Sequence, residues 1–400
     1  MKICLPLRTA LLLALFPWTL PLASAAEPSP ENAMVEKENL FEVTPENPYR
    51  SIRIPCILAL PDDTVLAFTS ARSAVSDWAT IRLLLRRSPD GGKTWEPARI
   101  VADNGKAVTD NPVAIWDAGK KRVHFLYQVD YSRCFHLWSD DSGRTFSPPV
   151  EITAQLAGFQ KKYPWHVFAP GPGHGIQLKN GRLIVPVWLS PGELNPSGKG
   201  RAHRPSVTST IYSDDHGATW QCGDIVPDTL KNMNETVAVE ADDGGVLLFI
   251  RNEDPAFRKA IAYSRDGATG WTKPELNEAL YTPVCFASAL RLSGAPDKSR
   301  ILFANPDSRL KTKSMVKWGG RTRENLTIKL SYDGGKTWPV AKVLEPGRSA
   351  YSDLTMLSDG TILCFYEHGF MSDNKYNTRY LTVARFNLEW LTDGKDSLRP

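Results

Sequence analysis

The chain has 400 residues, 42% of them hydrophobic, so it can bury a large core; its 48 basic and 44 acidic side chains leave a net charge of only +4. With no blocks of like charge, that balance excludes a basic nucleic-acid arm. Thirty prolines, 28 glycines and 12 tryptophans argue against a helical bundle, and 10% aromatic with 23% charged residues excludes disorder over most of the length.

The first element is an address. Lys2 and Arg8 give a positive start, Ala10 to Leu22 an apolar run, and Ala23-Ser24-Ala25 a small-x-small cleavage site. The run is short for a bilayer and is interrupted by Pro17 and Pro21, so a membrane anchor is not expected. Residues 1–26 are expected to be a cleaved signal peptide, 27–48 an N-terminal extension and 49–392 one folded domain. The mature protein is expected to be secreted or periplasmic, without a membrane span. Cys56, Cys134, Cys222, Cys285 and Cys364 stay in the mature chain, widely spaced and without a C-x-x-C pair. A metal framework is therefore not expected, and buried thiols are preferred to disulfides.

The strand-like run Ile81 to Arg86 leads into the first copy of a repeat, Ser88-Pro89-Asp90-Gly91-Gly92-Lys93-Thr94-Trp95, of the form S-x-D-x-G-x-T-W. It returns at Ser139–Phe146, at Ser213–Trp220, in degenerate form at Ser264–Trp271, and at Ser331–Trp338. The Asp side chain can accept from backbone N–H groups just downstream, Gly supplies a positive φ, and the aromatic residue packs beneath the turn. Strand-like runs flank the copies, as in Ala98 to Ala102, Leu326 to Leu330 and Ala341 to Leu344, so each is a β-hairpin. The copies are 51, 74, 51 and 67 residues apart. A four-stranded propeller blade takes about 40–50 residues, so the longer gaps carry inserted loops. Runs such as Arg182 to Trp188 and Val246 to Ile250 fill the blades. Tyr380 to Phe386 would complete one blade together with a strand from the other end of the chain. Five copies plus terminal strands make about six blades, in an all-β fold. The aspartates are too few per loop for a calcium site.

Ile52-Arg53-Ile54-Pro55, followed by these Asp boxes, resembles the exo-α-sialidases, and the similarity runs from about Tyr49 to Glu367. Ile52 stands where Phe or Tyr is common in that family. The resemblance implies a six-bladed β-propeller catalytic domain over 49–392. It also implies release of terminal, α-ketosidically linked sialic acid with retention, through a tyrosine nucleophile in place of the usual second carboxylate. A sugar carboxylate calls for planar, always-charged forks. Arg53, Arg251 and Arg323 match the family's three arginines, with Arg321 as the rival of the third. Tyr351, in Ala350-Tyr351-Ser352, matches the nucleophile. Glu235, sixteen positions before Arg251, matches its base, with Glu240 as the rival on the opposite strand face. Asp77, in Ser76-Asp77-Trp78, matches the acid. Glu367 matches the carboxylate that orients Arg53, Arg72 a fourth arginine on a ring hydroxyl, and Asn111 a further sugar contact.

Pro170-Gly171-Pro172-Gly173-His174-Gly175 also fits the family, with His174 read as structural. Aromatics such as Tyr127, Phe135 or Trp138 are expected around the C5 substituent. The polar stretch Leu194 to Ser206 is read as an exposed insertion in preference to a mobile flap near the aglycone or an anionic glycan. No metal or organic cofactor is implied. The expected partners are sialylated glycoproteins, glycolipids or oligosaccharides, with no nucleic acid and a monomeric chain. Two alternatives stand beside this reading: a non-catalytic sialoglycan-binding propeller, and the same machinery acting on a related nonulosonic acid.

Overall fold

The sequence alternates apolar runs of roughly five to nine residues with Asp/Gly turns, and nearly every run forms an antiparallel strand. The computed structural model describes residue 1 and residues 30–398, apart from 197, 199, 293–298, 308, 310–321, 373 and 375. The expected signal peptide and Arg321 lie outside the described residues.

Blade 1 is Ser51–Ala59, Val65–Arg72, Ile81–Ser88 and Arg99–Ala102. Blade 2 is Thr109–Asp117, Arg122–Val129, Arg133–Ser139 and Val150–Glu151, with Gly173–His174 added in parallel to its inner strand. Blade 3 is Val167–Pro170, Leu183–Ser190, Val207–Ser213 and Gln221–Cys222. Blade 4 is Thr236–Glu240, Val246–Ile250, Arg258–Ser264 and Glu275–Tyr281. Ser288–Arg291, Ile301–Pro306, Glu324–Ser331 and the first part of the long strand Val340–Met356 make blade 5. The same long strand, from Ser349, becomes the inner strand of blade 6, followed by Ile362–Phe370 and Thr378–Phe386. This is the six-bladed propeller the repeat count implies.

The last strand of blade 6 is Val35–Glu42, paired antiparallel with Thr378–Phe386. The segment 27–48 is therefore not an extension outside the propeller, because part of it closes the ring. Asn387 fixes the junction. Its side chain accepts from the Met34 and Trp390 N–H groups and donates to the Asn32 carbonyl, joining the two ends of the chain.

Inner strands are buried on both faces, as in Ser51–Ala59 and Val167–Pro170. They read as continuous apolar runs and not as alternating ones. The core lies between neighbouring blades: Phe68 stacks on Phe125 at 4.4 Å between blades 1 and 2, and Phe249 meets Phe303 at 5.9 Å between blades 4 and 5. In the first Asp box, Asp90 accepts from the Thr94 N–H at 2.8 Å and the Thr94 hydroxyl at 2.7 Å, while Ser88 Oγ accepts from the Gly92 N–H at 2.8 Å. Gly92 has φ +79°, and a Cβ there would press on Leu363 of blade 6 at 3.0 Å. The described cysteines are all free, and only Cys222 is partly exposed. Among the described residues no group of His, Cys, Asp and Glu could hold a metal ion, and no helix is long and apolar enough to cross a membrane.

Candidate active site

In an up-and-down blade, the start of the first strand, the end of the second and the start of the third all lie at one end. The expected site residues sit at these positions. Arg53, Asn111 and Tyr351 are near the starts of inner strands, and Glu235 directly precedes one. Arg72 and Glu367 are near the ends of second strands, and Arg251 follows one directly. Arg323 precedes the third strand of blade 5, and Asp77 lies on the loop after Arg72. The Asp boxes occupy the other end of the propeller.

Three of the inner segments break regular pairing here. Register shifts fall between Arg53 and Cys56, between Asp110 and Val113, and between Ser349 and Ser352. Ile54 (φ +63°) and Asn111 (φ +59°) take the left-handed conformation at the first two. Asn tolerates this; a β-branched Ile does not, and such positions cost about 1–3 kcal/mol and persist only when their surroundings hold them. Glu367 Oε1 holds Ile54 by accepting its N–H at 2.9 Å. Val284, φ +58°, is held through its carbonyl by Arg323 Nη2 at 3.0 Å.

The structure brings Arg53, Arg251 and Arg323 together around one phenol. The guanidinium carbons of Arg53 and Arg323 each lie 5.0 Å from the Tyr351 ring centre. Arg251 Nη1 donates to Tyr351 Oη at 2.9 Å and is paired with Glu235. Tyr351 Oη donates to Glu235 Oε2 at 2.6 Å. Arg53 Nη2 meets Glu367 Oε2 at 3.2 Å, and Glu367 is fully buried. Arg323 has only the Val284 carbonyl, and no carboxylate among the described residues pairs with it. Its Nε and Nη1, and the Nε of Arg53 and Arg251, are buried without a hydrogen-bond partner. Three buried guanidiniums thus face two carboxylates. Around the phenol it is Arg323 that lacks a carboxylate among the described residues, and an anion would pair with it.

Burial raises the Tyr351 phenol well above its usual value; Arg251 and the other arginines only partly oppose this. The group is therefore a neutral O–H at rest, aimed at Glu235. Burial works against the charges of Arg53 and Arg251 and is outweighed by Glu367 and Glu235 respectively, so both stay protonated. Asp77 differs in exposure, its side chain being 49% accessible. Arg72 Nη1 pairs with it at 2.6 Å and Arg72 Nη2 with Asp110 at 2.8 Å. Burial of the carboxyl tends to raise the pKa of Asp77, but Arg72, with His203 and Arg53, holds it well below the ordinary range.

A cavity of about 70 Å³ is lined by Arg53, Arg72, Asp77, Asp110, Glu235, Arg251 and Tyr351, and also by Asn111, Tyr131, Trp188, His203 and Tyr376, whereas Arg323 and Glu367 do not line it. Asp110, Tyr131 and His203 were not among the expected site residues. His203 belongs to the stretch Leu194 to Ser206, which is no mere exposed insertion: it brings an imidazole into the cavity wall. Tyr127, Phe135 and Trp138 do not line the cavity. Tyr127 stacks on Phe135 at 5.4 Å within blade 2, and Trp138 lies under Arg122. Side chains within those strands face neighbouring strands and blades, and only residues beyond strand ends, such as Tyr131, reach the axis. Glu240 is separated from Glu235 by the length of the strand, about 17 Å for five residues, and accepts from the Lys179 N–H. It lines a larger cavity of about 1150 Å³ at the Asp-box end, where Arg291 pairs with Asp242. That cavity, though bigger, lacks the cluster of guanidiniums. His174 lies on its wall and is tied to Asp353 at 2.7 Å, which also accepts from Ile57 N–H and Ser288 Oγ. Gly173 is needed beside it, since a Cβ would meet Phe286 at 2.9 Å.

The family model described as a BNR repeat-like domain matches residues 95–364. A sialidase of Micromonospora viridifaciens is 29% identical, over 97% of this chain and 61% of its own length. Sialidase-3 of Rattus norvegicus is 26% identical, over 83% of this chain and 91% of its own. Among solved structures, the Hadza microbial sialidase Hz136 superposes with a TM-score of 0.69 at 24% identity, over 86% of this chain and 66% of that one. A leech intramolecular trans-sialidase gives 0.70 at 18% identity, over 90% and 71%. At those identities the two structures speak for the fold. The family match covers more than half of the sequence, and the chain belongs to the sialidase family of BNR-repeat propellers.

Proposed function

We propose that the chain is an exported exo-α-sialidase that releases terminal sialic acid with retention. The observation that carries this reading is the uncompensated positive charge of Arg53, Arg251 and Arg323 around the Tyr351–Glu235 hydrogen bond. The three forks take the sugar carboxylate, and Arg72, Asp110 and Asn111 lie where ring substituents would be held. Tyr351 Oη attacks the anomeric carbon while its proton passes to Glu235. The bond to the aglycone breaks with its electron pair on the glycosidic oxygen, which takes a proton from Asp77. Water then attacks the same carbon, giving its proton to Asp77. The Tyr351–carbon bond breaks and the phenolate recovers its proton from Glu235. A neutral phenol suits an anionic sugar better than a carboxylate would, and the guanidiniums stabilise the charge that develops. A binding-only propeller has no use for the Tyr351–Glu235 pair.

The test is release of a fluorogenic aglycone from an α-sialoside by the native chain and by Tyr351→Phe, with NMR of the first-formed sugar. Loss of at least about 10³ in kcat for the variant, and initial release of the α-anomer by the native chain, are expected. Equal rates would remove Tyr351 as nucleophile, and initial β-anomer would remove retention.

A further inference from the structure

The proposed mechanism leaves one proton unexplained. Asp77 must hold a proton to give to the leaving oxygen, yet at rest it is an anion paired with Arg72 at 2.6 Å. Glu235 is engaged by Tyr351 and Arg251. Among the described residues His203 is the only imidazole lining the cavity, and its Nε2 is buried without a hydrogen-bond partner there. The ring is held by packing, at 4.4 Å from Tyr131, 5.3 Å from Trp188 and 5.6 Å from Trp78. Its loop is anchored as well: Arg204 pairs with Glu253, Ser190 Oγ donates to the Ala202 carbonyl at 3.1 Å, and Gly200 lies flat on Trp78. The charged groups that act on the imidazole are Asp77, Arg204, Glu235 and Arg251. Asp77 is the nearest in effect, and the two groups act on each other's ionisation.

We propose that His203 is a positioning residue for the acid step, passing a proton from its imidazolium to the Asp77 carboxylate so that Asp77 can protonate the departing oxygen. This rests on the sialidase reading of the site. The proton leaves Nε2, moves to Asp77 and then to the glycosidic oxygen as the carbon–oxygen bond breaks. In the second half-reaction the proton taken from water by Asp77 returns to Nε2, so the cycle balances. Burial holds the imidazole below its ordinary value, against the pull of Asp77. The imidazolium is therefore present on the acid side of that lowered value and is lost as the pH rises through it.

The experiment compares an α-sialoside bearing a phenolic leaving group, which departs with little acid assistance, with one linked to a sugar hydroxyl, which needs it. His203→Phe keeps a ring against Tyr131 and Trp188; His203→Gln serves if the first variant fails to fold. General acid catalysis is worth about 10²–10⁴, so the ratio of kcat/KM for the sugar-linked to the phenolic substrate is expected to fall about 30–100-fold. The alkaline limb that the imidazole sets on the sugar-linked substrate is expected to disappear. His203→Phe added to Asp77→Asn should cost little more than Asp77→Asn alone, because the two act in series. Equal losses on both substrates with an unchanged pH limb would overturn the relay while leaving the sialidase reading intact. A native chain that cleaves neither substrate would overturn both.

Discussion

Glu367→Gln tests the carboxylate that holds the first arginine. Glu367 is fully buried and accepts three donors: Arg53 Nη2 at 3.2 Å, the Ile54 N–H at 2.9 Å and the Tyr351 N–H at 3.4 Å. Gln keeps an oxygen for Ile54, but its amide N–H groups then face Arg53 and the Tyr351 N–H, donor against donor. At 3.2 Å and an effective dielectric constant of 20, the lost attraction is about 5 kcal/mol as an upper bound. Breaking one side of a buried pair costs about 3–5 kcal/mol in practice. With unfolding entropy near 2.1 cal/mol/K per residue, a domain of this size should lose about 5 °C in Tm. Arg53 also loses its aim, so KM for a sialoside should rise along with a fall in kcat. The decisive arm is Arg53→Leu combined with Glu367→Gln. Removing both charges should restore at least about 2 kcal/mol of stability relative to Glu367→Gln, with no recovery of activity. Thermal melts and urea titrations of the three chains read this directly. A double variant as unstable as the single one would show that the loss comes from packing or from the Ile54 turn, and the charge argument would fail.

Arg323→Lys replaces a fork by a point charge; with one or two charged hydrogen bonds to the substrate carboxylate lost, kcat/KM should fall about 10²–10³, whereas an unchanged value would remove Arg323 from the anion site. Acid unfolding should occur in two partly overlapping windows. Burial holds His136 at about 3 and His124 at about 4, so the unfolded chain binds more protons from about pH 6.5 down to about 3, and stability falls as pH drops across that range. Asp90 is held at about 2, hydrogen bonds from Thr94 outweighing its partial burial, so its stabilising contribution is present above pH 4 and lost between about 4 and 2. His136→Phe should flatten the upper window only and Asp90→Asn the lower only, measured as unfolding free energy against pH; crossed effects would refute the assignment.

The blades were legible because an Asp box is a local device: the turn is written within eight residues, and the strands on either side need only bury their faces. Val246–Ile250 is read to the residue. The strand Val35–Glu42 was not, since its pattern is largely exposed and only its pairing with Thr378–Phe386, more than 330 residues away, makes it part of a blade. The matched site residues were readable only through the resemblance to the sialidases, and the structure sets them near strand ends at one rim. Asp110 and His203 were not. Asp110 adjoins a register shift, where simple alternation no longer says which face a side chain takes. His203 comes from a loop whose composition resembles any solvated turn, and only the rings of Tyr131, Trp188 and Trp78 turn it inward. The same logic explains why charge, and not cavity size, marks the site. The wide cavity at the Asp-box end is what six inner strands leave between them where mostly apolar residues line the channel. At the other end the channel narrows because large charged side chains converge there, and burying three guanidiniums against two carboxylates destabilises the empty protein. Such an arrangement makes physical sense in a fold that gains it back when an anionic ligand arrives.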